Sequence, residues 1–255
     1  MVDETINKEK YYQNNVIATK NLIIAMKNNN LTNLIFSSTA AVYKYSGKIL
    51  NEKNLIKPKS AYAKTKLECE KIIKNSKINS VILRFFNVCS SLKINNKIIG
   101  EYHNPETHLI PTIVYKNLLK KNFYIYGKNY NSIDGTCIRD YVHIKDICSA
   151  IEKSINYLFN NDKKFQIINI GSSSKKTNFE ILQEIEKITK IKNNYTIANR
   201  RKGDVDLLVC SNSKAKKLLN WQPKNSAIKK IIKDEILWVK HLIKNKQFRK
   251  FKNYL

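Results

Sequence analysis

A buried strand end, a proline-containing loop and a capped helix follow one another in SSTAAVYKYSGKILNEKNLIKPKSAYAKTKLECEK, residues 37–71. The apolar run LIFSS that leads into this stretch predicts a strand with hydroxyl side chains at its C-terminal end. Ser60 fits the N-cap of a helix that runs to about residue 75. Within that helix Tyr62 and Lys66 are four residues apart, which places both side chains on one face, about one turn apart.

The rest of the chain alternates between helical and strand-like spacing. Helices are predicted at 9–28, 60–75, 110–121, from about 145, at 177–190 and at 226–244. Strands are predicted at 34–38, 80–88 and 123–127, from 139 until the chain becomes helical near 145, and at 165–171. Strands separated by helices of this length predict βαβ units and a mostly parallel sheet, so the fold class is α/β.

The composition limits the classes of partner. The chain has 255 residues, 42% of them hydrophobic, and a formal charge of +27. Such a charge is common in nucleic-acid-binding proteins, but here it comes mainly from lysines spread along the chain, whereas phosphate-reading surfaces cluster their charge and favour arginine. We therefore predict no specific nucleic-acid partner. The absence of a long apolar run predicts no membrane partner, and five scattered cysteines without C-x-x-C spacing predict reduced thiols and a cytoplasmic location.

The pair Tyr62 and Lys66 has two interpretations. A lysine held beside a tyrosine stabilises the phenolate and lowers the tyrosine pKa from about 10, so that the tyrosine can take a hydroxyl proton while a cofactor removes hydride. The same spacing arises often by chance in a lysine-rich chain. The hydroxyl cluster Ser37–Thr39 at a strand end makes the first interpretation more specific, but spacing alone leaves the two equally good.

Longer motifs carry a resemblance to a known family. FSSTAAVY (36–43), SAYAKTKLECEKII (60–73) and ILRFFNVCS (82–90) resemble the extended short-chain dehydrogenase/reductase family. IGEYHNPETHLIP (99–111), DGTCIRDYVHIKDICSAI (134–151) and ANRRKGDVDLL (198–208) are similar to the UDP-glucose 4-epimerases within it. The resemblance runs in order from Val2 to about His241.

This resemblance implies a domain arrangement. Residues 1–90 would be the remaining part of an NAD(P)-binding Rossmann domain, which carries the catalytic tyrosine and lysine. Residues 91–255 would mainly form a smaller α/β region that binds the UDP-sugar, with about 138–171 returning to the Rossmann sheet. A homodimer built on the helices 9–28 and 60–75 is also implied.

The resemblance also implies an activity and its catalytic residues. The enzyme would interconvert UDP-galactose and UDP-glucose through NAD and a transient 4-keto sugar. Tyr62 would be the acid/base at the sugar 4-hydroxyl, Lys66 would lower its pKa and hold the nicotinamide ribose, and the Thr39 hydroxyl would bridge the proton.

Binding residues and their alternatives follow from the same motifs. The implied cofactor contacts are Asn14, Ser37, Thr39, Tyr62, Lys66 and Phe86. The implied substrate contacts are Thr39, Tyr62, Asn87, His108, Leu109, Tyr124, Ile125, Tyr126, Arg139, Arg201 and Asp204. No metal is implied, and Leu208 at the position that limits sugar size leaves N-acetylated sugars undecided. Arg139 pairing with Asp140, and Phe86 as a core residue, are the simpler alternatives.

One departure from the family pattern is the absence of its G-x-x-G-x-x-G phosphate loop, because the six glycines form no such pattern. We therefore predict a Rossmann fold without its first strands. The missing loop has three explanations: the chain is part of a longer protein, a partner polypeptide supplies the loop, or the gene is decaying. A non-catalytic nucleotide-sugar-binding remnant is the alternative function, as is another epimerase or dehydratase of the family. A 4,6-dehydratase is disfavoured because Ala40 and Ala41 replace its acidic pair.

Overall fold

The computed structural model of the chain describes residues 8–103, 105–161, 165–201 and 203–245. Its helices are α1 (Lys8–Tyr11), α2 (Ala18–Asn28), α3 (Ala61–Ser76), α4 (Leu109–Leu118), α5 (Ile144–Phe159), α6 (Asn178–Thr189), α7 (Ser213–Leu219) and α8 (Ile228–Lys244). Its strands are β1 (Asn33–Thr39), β2 (Asn79–Phe85), β3 (Asn87–Cys89), β4 (Leu92–Ile94), β5 (Lys97–Ile99), β6 (Phe123–Tyr126), β7 (Ile138–Arg139), β8 (Tyr141–His143), β9 (Phe165–Ile170), β10 (Lys176–Thr177), β11 (Tyr195–Ala198) and β12 (Leu207–Leu208).

These elements fall into two compact units. The first unit comprises the described parts of Met1–Phe86, Cys148–Gly171 and Cys210–Gln222. The second comprises the described parts of Asn87–Ile147, Ser172–Val209 and Pro223–Leu255. The functional division of the chain into a cofactor domain and a substrate domain stays a prediction.

The first unit is built on a parallel sheet with the order β1–β2–β9. Thr39 pairs with Phe85, which pairs with Ile170, so the C-terminal ends of all three strands lie at one edge. Ile73 of α3 packs with Ile82 of the sheet and with Ile23 and Met26 of α2. This βαβ arrangement confirms the α/β class, and its carboxyl edge is where ligands bind in such sheets.

The helix that carries Tyr62 and Lys66 begins as the sequence predicts. The Ser60 hydroxyl accepts a hydrogen bond from the Ala63 backbone N–H at 3.0 Å and caps α3. The helix predicted at 9–28 is also present, but a π-helical segment, Tyr12–Ile17, separates α1 from α2. The pattern of apolar residues did not predict this segment.

The second unit has a helical core and several short sheets. Buried side chains of α4, α6 and α8 pack together, among them Ile113, Ile181 and Ile231. Around them lie the three-stranded sheet β10–β7–β12, the parallel pairs β11–β6 and β3–β8, and the antiparallel hairpin β4–β5. The sequence predicted one strand at 80–88 where the structure has β2 and β3, and it missed the hairpin, β10, β11, β12 and α7.

None of the helices in the described ranges has the length and apolar character that crossing a membrane requires.

Candidate active site

The hydroxyl groups of Thr39 and Tyr62 meet at the carboxyl edge of the first unit's sheet. Thr39 is the last residue of β1, and its Oγ1 accepts a hydrogen bond from the Ala41 backbone N–H at 3.2 Å. The Tyr62 hydroxyl is hydrogen-bonded to the Thr39 side chain. The ring of Tyr11 packs against the ring of Tyr62 with centroids 5.8 Å apart. The strand end and the capped helix therefore bring together two of the predicted catalytic groups.

Lys66 reaches the same strand one turn further along α3. Its Nζ donates to the Ser37 carbonyl oxygen at 3.0 Å and lies 4.8 Å above the centre of the Phe36 ring. The distance from Nζ to the centre of the Tyr62 ring is 6.0 Å. The structure thus groups Ser37, Thr39, Tyr62 and Lys66, four of the residues for which the resemblance implies catalysis or cofactor binding.

Burial is the largest cause of the pKa shifts of both Tyr62 and Lys66. Burial raises the pKa of Tyr62, the hydrogen bond with Thr39 opposes this shift, and the net pKa lies above the ordinary value. Burial likewise lowers the pKa of Lys66. In this structure burial dominates the phenol and the Lys66 ammonium group donates to the Ser37 carbonyl, so the lowering of the Tyr62 pKa by Lys66 stays a prediction.

A buried ion pair beneath these groups was missed by the sequence reasoning. Glu70 and Arg84 are each 3% exposed and form two hydrogen bonds, Nε–Oε1 at 3.0 Å and Nη2–Oε2 at 2.6 Å. The Ser38 hydroxyl donates to Glu70 Oε1 at 2.5 Å, and the Arg84 guanidinium stacks over the Tyr43 ring at 4.8 Å. An arginine inside the apolar run ILRFF was the available signal, since a buried arginine requires a partner.

Two further cofactor predictions lie elsewhere in the first unit. Asn14 is exposed in the π-helical segment, and its neighbour Asn15 donates to the Thr65 hydroxyl at 3.0 Å. Phe86 is buried, and its backbone N–H donates to the Ile170 carbonyl at 3.1 Å. The part that either residue plays in cofactor binding stays a prediction.

A cavity in the second unit collects five of the predicted substrate residues. It is lined by His108, Leu109, Tyr126, Arg201 and Asp204, and also by Thr107, Thr112 and Asn178. His108 is the N-cap of α4, Tyr126 ends β6, and Arg201 and Asp204 lie in the loop that leads to β12. Asn178, the first residue of α6, was not foreseen, because it is far from the quoted motifs in sequence.

The charges at this cavity form a compact group. Arg201 Nε donates to Asp204 Oδ2 at 2.9 Å, and the Arg201 guanidinium lies 4.9 Å from the centre of the Tyr126 ring. Arg139 Nη2 lies 3.8 Å from Asp204 Oδ1. Arg139 thus has Asp204 as an acidic neighbour, while the Asp140 carboxylate accepts hydrogen bonds from the 172–173 turn.

His108 carries a positive charge in this arrangement. Its Nδ1 lies 3.0 Å from Glu101 Oε1 and 3.1 Å from Glu106 Oε1. These two hydrogen bonds raise the pKa of His108 to about 10, with the Glu101 bond as the largest cause. Glu101 and Glu106 balance the His108 charge, so the positive excess that suits a phosphate group comes from Arg139 and Arg201, which face the single carboxylate of Asp204.

The remaining substrate predictions have different surroundings. The side-chain amide and the backbone N–H of Asn87 both donate to the Asp140 carbonyl at 3.1 Å. In β6, Ile125 is fully buried and Tyr124 is exposed, so only Tyr124 and the cavity residue Tyr126 present side chains outside the core. Leu208 pairs in register with Arg139.

The fold and the site define a class of protein: a Rossmann-like α/β protein with a Thr–Tyr–Lys group at the carboxyl edge of its parallel sheet. Residues 2–171 match the NAD dependent epimerase/dehydratase family, and the chain belongs to this family. A UDP-glucose 4-epimerase of Lactobacillus helveticus is 36% identical over 248 residues, which are 94% of this chain and 74% of that protein.

Solved structures agree with this assignment. UDP-glucose 4-epimerase from Brucella ovis, in complex with NAD, is 31% identical with a TM-score of 0.85, covering 91% of this chain and 72% of that one. The enzyme from Bifidobacterium longum, in complex with NAD⁺ and UDP, is 27% identical with a TM-score of 0.82, covering 93% of this chain and 71% of that one. The Rossmann-type fold predicted from the motifs is confirmed, and the chain is shorter than both neighbours.

Proposed function

We propose that the chain carries the catalytic and substrate-binding part of a UDP-glucose 4-epimerase, which interconverts UDP-galactose and UDP-glucose. The observation that carries this proposal is the group formed by Thr39, Tyr62 and Lys66. A phenol that interacts with a threonine hydroxyl, with an ammonium group one helical turn away, suits the transfer of a proton from and back to a sugar hydroxyl. Relatives of 31–36% identity bear the name of this enzyme.

The hydrogen bonds of Thr39 support its proposed function, which is to bridge a proton between the Tyr62 phenol and a sugar hydroxyl. Its Oγ1 accepts from Ala41 N–H, so the hydroxyl proton remains available to the Tyr62 oxygen or to a sugar hydroxyl. In this proposal Tyr62 takes the proton from the 4-hydroxyl as the sugar is oxidised to the 4-ketone. The same group returns the proton when the ketone is reduced on its opposite face, and C4 is inverted.

The residues present fit the reactive end of NAD. Lys66 has three N–H donors and uses one on the Ser37 carbonyl, which leaves two for ribose hydroxyls. NAD, when bound, supplies the hydride acceptor and a positive ring charge that lowers the pKa of a neighbouring phenol. The 255 residues include no glycine-rich turn of the kind that binds a pyrophosphate, so the fit extends to the nicotinamide ribose and no further.

The second unit supports binding of the UDP part. Arg139 and Arg201 oppose a single carboxylate, Asp204, so the group retains net positive charge for a diphosphate. The exposed Tyr124 and the cavity residue Tyr126 offer aromatic faces to a uracil ring. Asp204 is the acceptor for ribose hydroxyls in this proposal.

We further propose a cytoplasmic homodimer. Leu22 and Ile24 of α2 are 46% and 57% exposed, and α2 belongs to the helix pair that the resemblance implies as the dimer interface. In this proposal a second copy covers part of the apolar surface that α2 exposes. Sedimentation equilibrium of the protein and of Leu22→Asp tests this, because a carboxylate at residue 22 would weaken a dimer that buries this side chain.

The activity is tested on the protein isolated from its own cells, so that any accompanying polypeptide is retained. UDP-galactose is supplied with NAD, and formation of UDP-glucose is measured. We expect Tyr62→Phe to lower kcat by at least about 10²-fold while the affinity for UDP stays unchanged. Epimerisation that persists in Tyr62→Phe would refute the assignment of the acid/base. UDP binding without any turnover in the unaltered protein would favour the nucleotide-sugar-binding alternative.

A further inference from the structure

Three side chains with metal-binding atoms converge in the segment between β5 and α4. His103 Nε2 lies 2.7 Å and His108 Nδ1 lies 3.0 Å from the same oxygen, Oε1 of Glu101. The three potential ligand atoms all lie within 4.8 Å of one another. The two imidazole rings meet edge to face with centroids 5.0 Å apart. Two imidazole nitrogens and a carboxylate oxygen therefore surround one point.

The backbone of this segment is fixed on both sides of the cluster. Trp238 Nε1 donates to the Glu101 carbonyl at 2.8 Å, and a Cβ on Gly100 would lie 2.5 Å from the Trp238 ring, so the indole packs directly on the Gly100 backbone. At the other end the His108 backbone N–H donates to Glu106 Oε1 at 2.9 Å. Two of the three ligands thus stand on backbone that hydrogen bonds hold in place. The side chains of His103 and His108 are 55% and 52% exposed, so both imidazole rings have room to adjust.

The donor set selects the class of ion. Two imidazoles and one carboxylate are a typical zinc ligand set, whereas Mg²⁺ and Ca²⁺ prefer oxygen ligands alone. Zinc–ligand bonds of about 2.0–2.1 Å put tetrahedral ligand atoms roughly 3.3 Å apart. The separations of 2.7 and 3.0 Å from Glu101 Oε1 are somewhat shorter than that value, so small rotations of the two exposed imidazole side chains would give the spacing that one ion requires.

We propose that Glu101, His103 and His108 form a binding site for one divalent transition-metal ion of the zinc class. The ion would fasten the segment after β5 to the first turn of α4. Three protein ligands leave at least one coordination position for water. This proposal does not rest on the proposed epimerase activity, although His108 also lines the cavity assigned to the substrate. Hydrogen bonds among the same atoms without an ion are its alternative.

The site is tested with the 255-residue chain, prepared without a polyhistidine tag and treated with a chelator. Zn²⁺ is titrated calorimetrically, and Co²⁺ is titrated by visible absorption, which reports coordination geometry. All variants are compared at one pH, because the ion competes with the proton on His108 Nδ1. We expect one Zn²⁺ per chain, a Co²⁺ spectrum of low coordination number, and no heat with Mg²⁺.

His103→Ala is the decisive variant, because its side chain is exposed and its loss should leave the fold intact. We expect it to weaken Zn²⁺ binding at least tenfold, and Glu101→Gln to act similarly. Cys148→Ser is the matched control, since Cys148 is an exposed thiol that could bind zinc adventitiously. Undiminished affinity in His103→Ala, loss of binding in Cys148→Ser, or no binding by the folded chain would each overturn the proposal.

Discussion

The buried ion pair of Glu70 and Arg84 provides a quantitative test of what holds the catalytic edge in place. We expect Glu70→Met to lower the free energy of unfolding of the first unit by about 3–5 kcal/mol, because the variant leaves a buried guanidinium without its counter-charge. Burial opposes the charge on Arg84, and the Tyr43 ring at 4.8 Å replaces only part of the lost interaction. Arg84→Met should cost a comparable amount, since it strands the carboxylate and leaves it with the Ser38 hydroxyl alone.

The double variant Glu70→Met/Arg84→Met separates the cost of a stranded charge from the worth of the pair. Replacement of a buried pair by apolar side chains of similar volume is often neutral or stabilising, so the double variant should be more stable than either single one. The lost hydrogen bond to Ser38 would subtract about 1 kcal/mol. Urea unfolding is followed by the fluorescence of Trp221, which is buried in the first unit, in a Trp238→Phe background.

Two results of these unfolding experiments would contradict the reasoning about the buried ion pair. Single variants that each cost under about 1 kcal/mol would mean that water reaches the pair and that it behaves like a surface ion pair. A double variant whose cost equals the sum of the two single costs would mean that the side chains act independently. Either result would refute the inference that this pair is desolvated and coupled beneath Thr39 and Tyr62.

Three further predictions concern the two units separately. Arg201→Met should weaken UDP binding about 10–100-fold in calorimetry, because hydrogen bonds to charged groups contribute about 1.5–3 kcal/mol. Arg200→Met removes a surface ion pair and should change UDP affinity less than about threefold. Equal effects of the two variants would contradict the assignment of UDP to the cavity. Burial raises the pKa of Asp146, but hydrogen bonds from the 224–226 turn outweigh this effect, and the net pKa lies below its ordinary value of about 3.9. The stabilisation that ionised Asp146 provides is therefore complete above the ordinary pKa and is lost as pH falls through the lower folded-state pKa. Asp146→Asn should be less stable than the unaltered protein in urea unfolding near neutral pH, and a difference in stability that does not close in acid would contradict this. Thr39→Val should lower kcat at least about 10²-fold while Thr39→Ser retains most activity, and equal rates for the two would exclude the hydroxyl bridge.

Much of the fold could be predicted because its signals are local. Ser60 is a strong N-cap type followed by an apolar-periodic helix, and α3 begins at the next residue. The apolar runs of β1, β2 and β9 are short and bounded by polar residues, which is the pattern of strands in a parallel sheet. The π-helical segment Tyr12–Ile17 could not be predicted, because it depends on packing against α3, where Asn15 meets Thr65.

The short strands of the second unit were missed for a related reason. β10 and β12 have two residues each, which is too short for any periodicity to register. They are strands only because Arg139 pairs with Lys176 on one side and with Leu208 on the other, and these partners are distant in sequence. The cavity residues of this unit were foreseen through the resemblance and not through spacing.

The catalytic pair shows where a motif stops being informative. Spacing placed Tyr62 and Lys66 on one face of α3, and the structure has them there, but a shared face does not determine where an ammonium group points. Lys66 donates to the Ser37 carbonyl, and burial raises the pKa of Tyr62, so in this structure the phenol is protonated at neutral pH. Proton abstraction then requires additional positive charge near the phenol, which binding of a cationic nicotinamide ring would provide. The motif therefore specifies the groups that exchange the proton, while occupancy of the cofactor site determines when Tyr62 can act as a base.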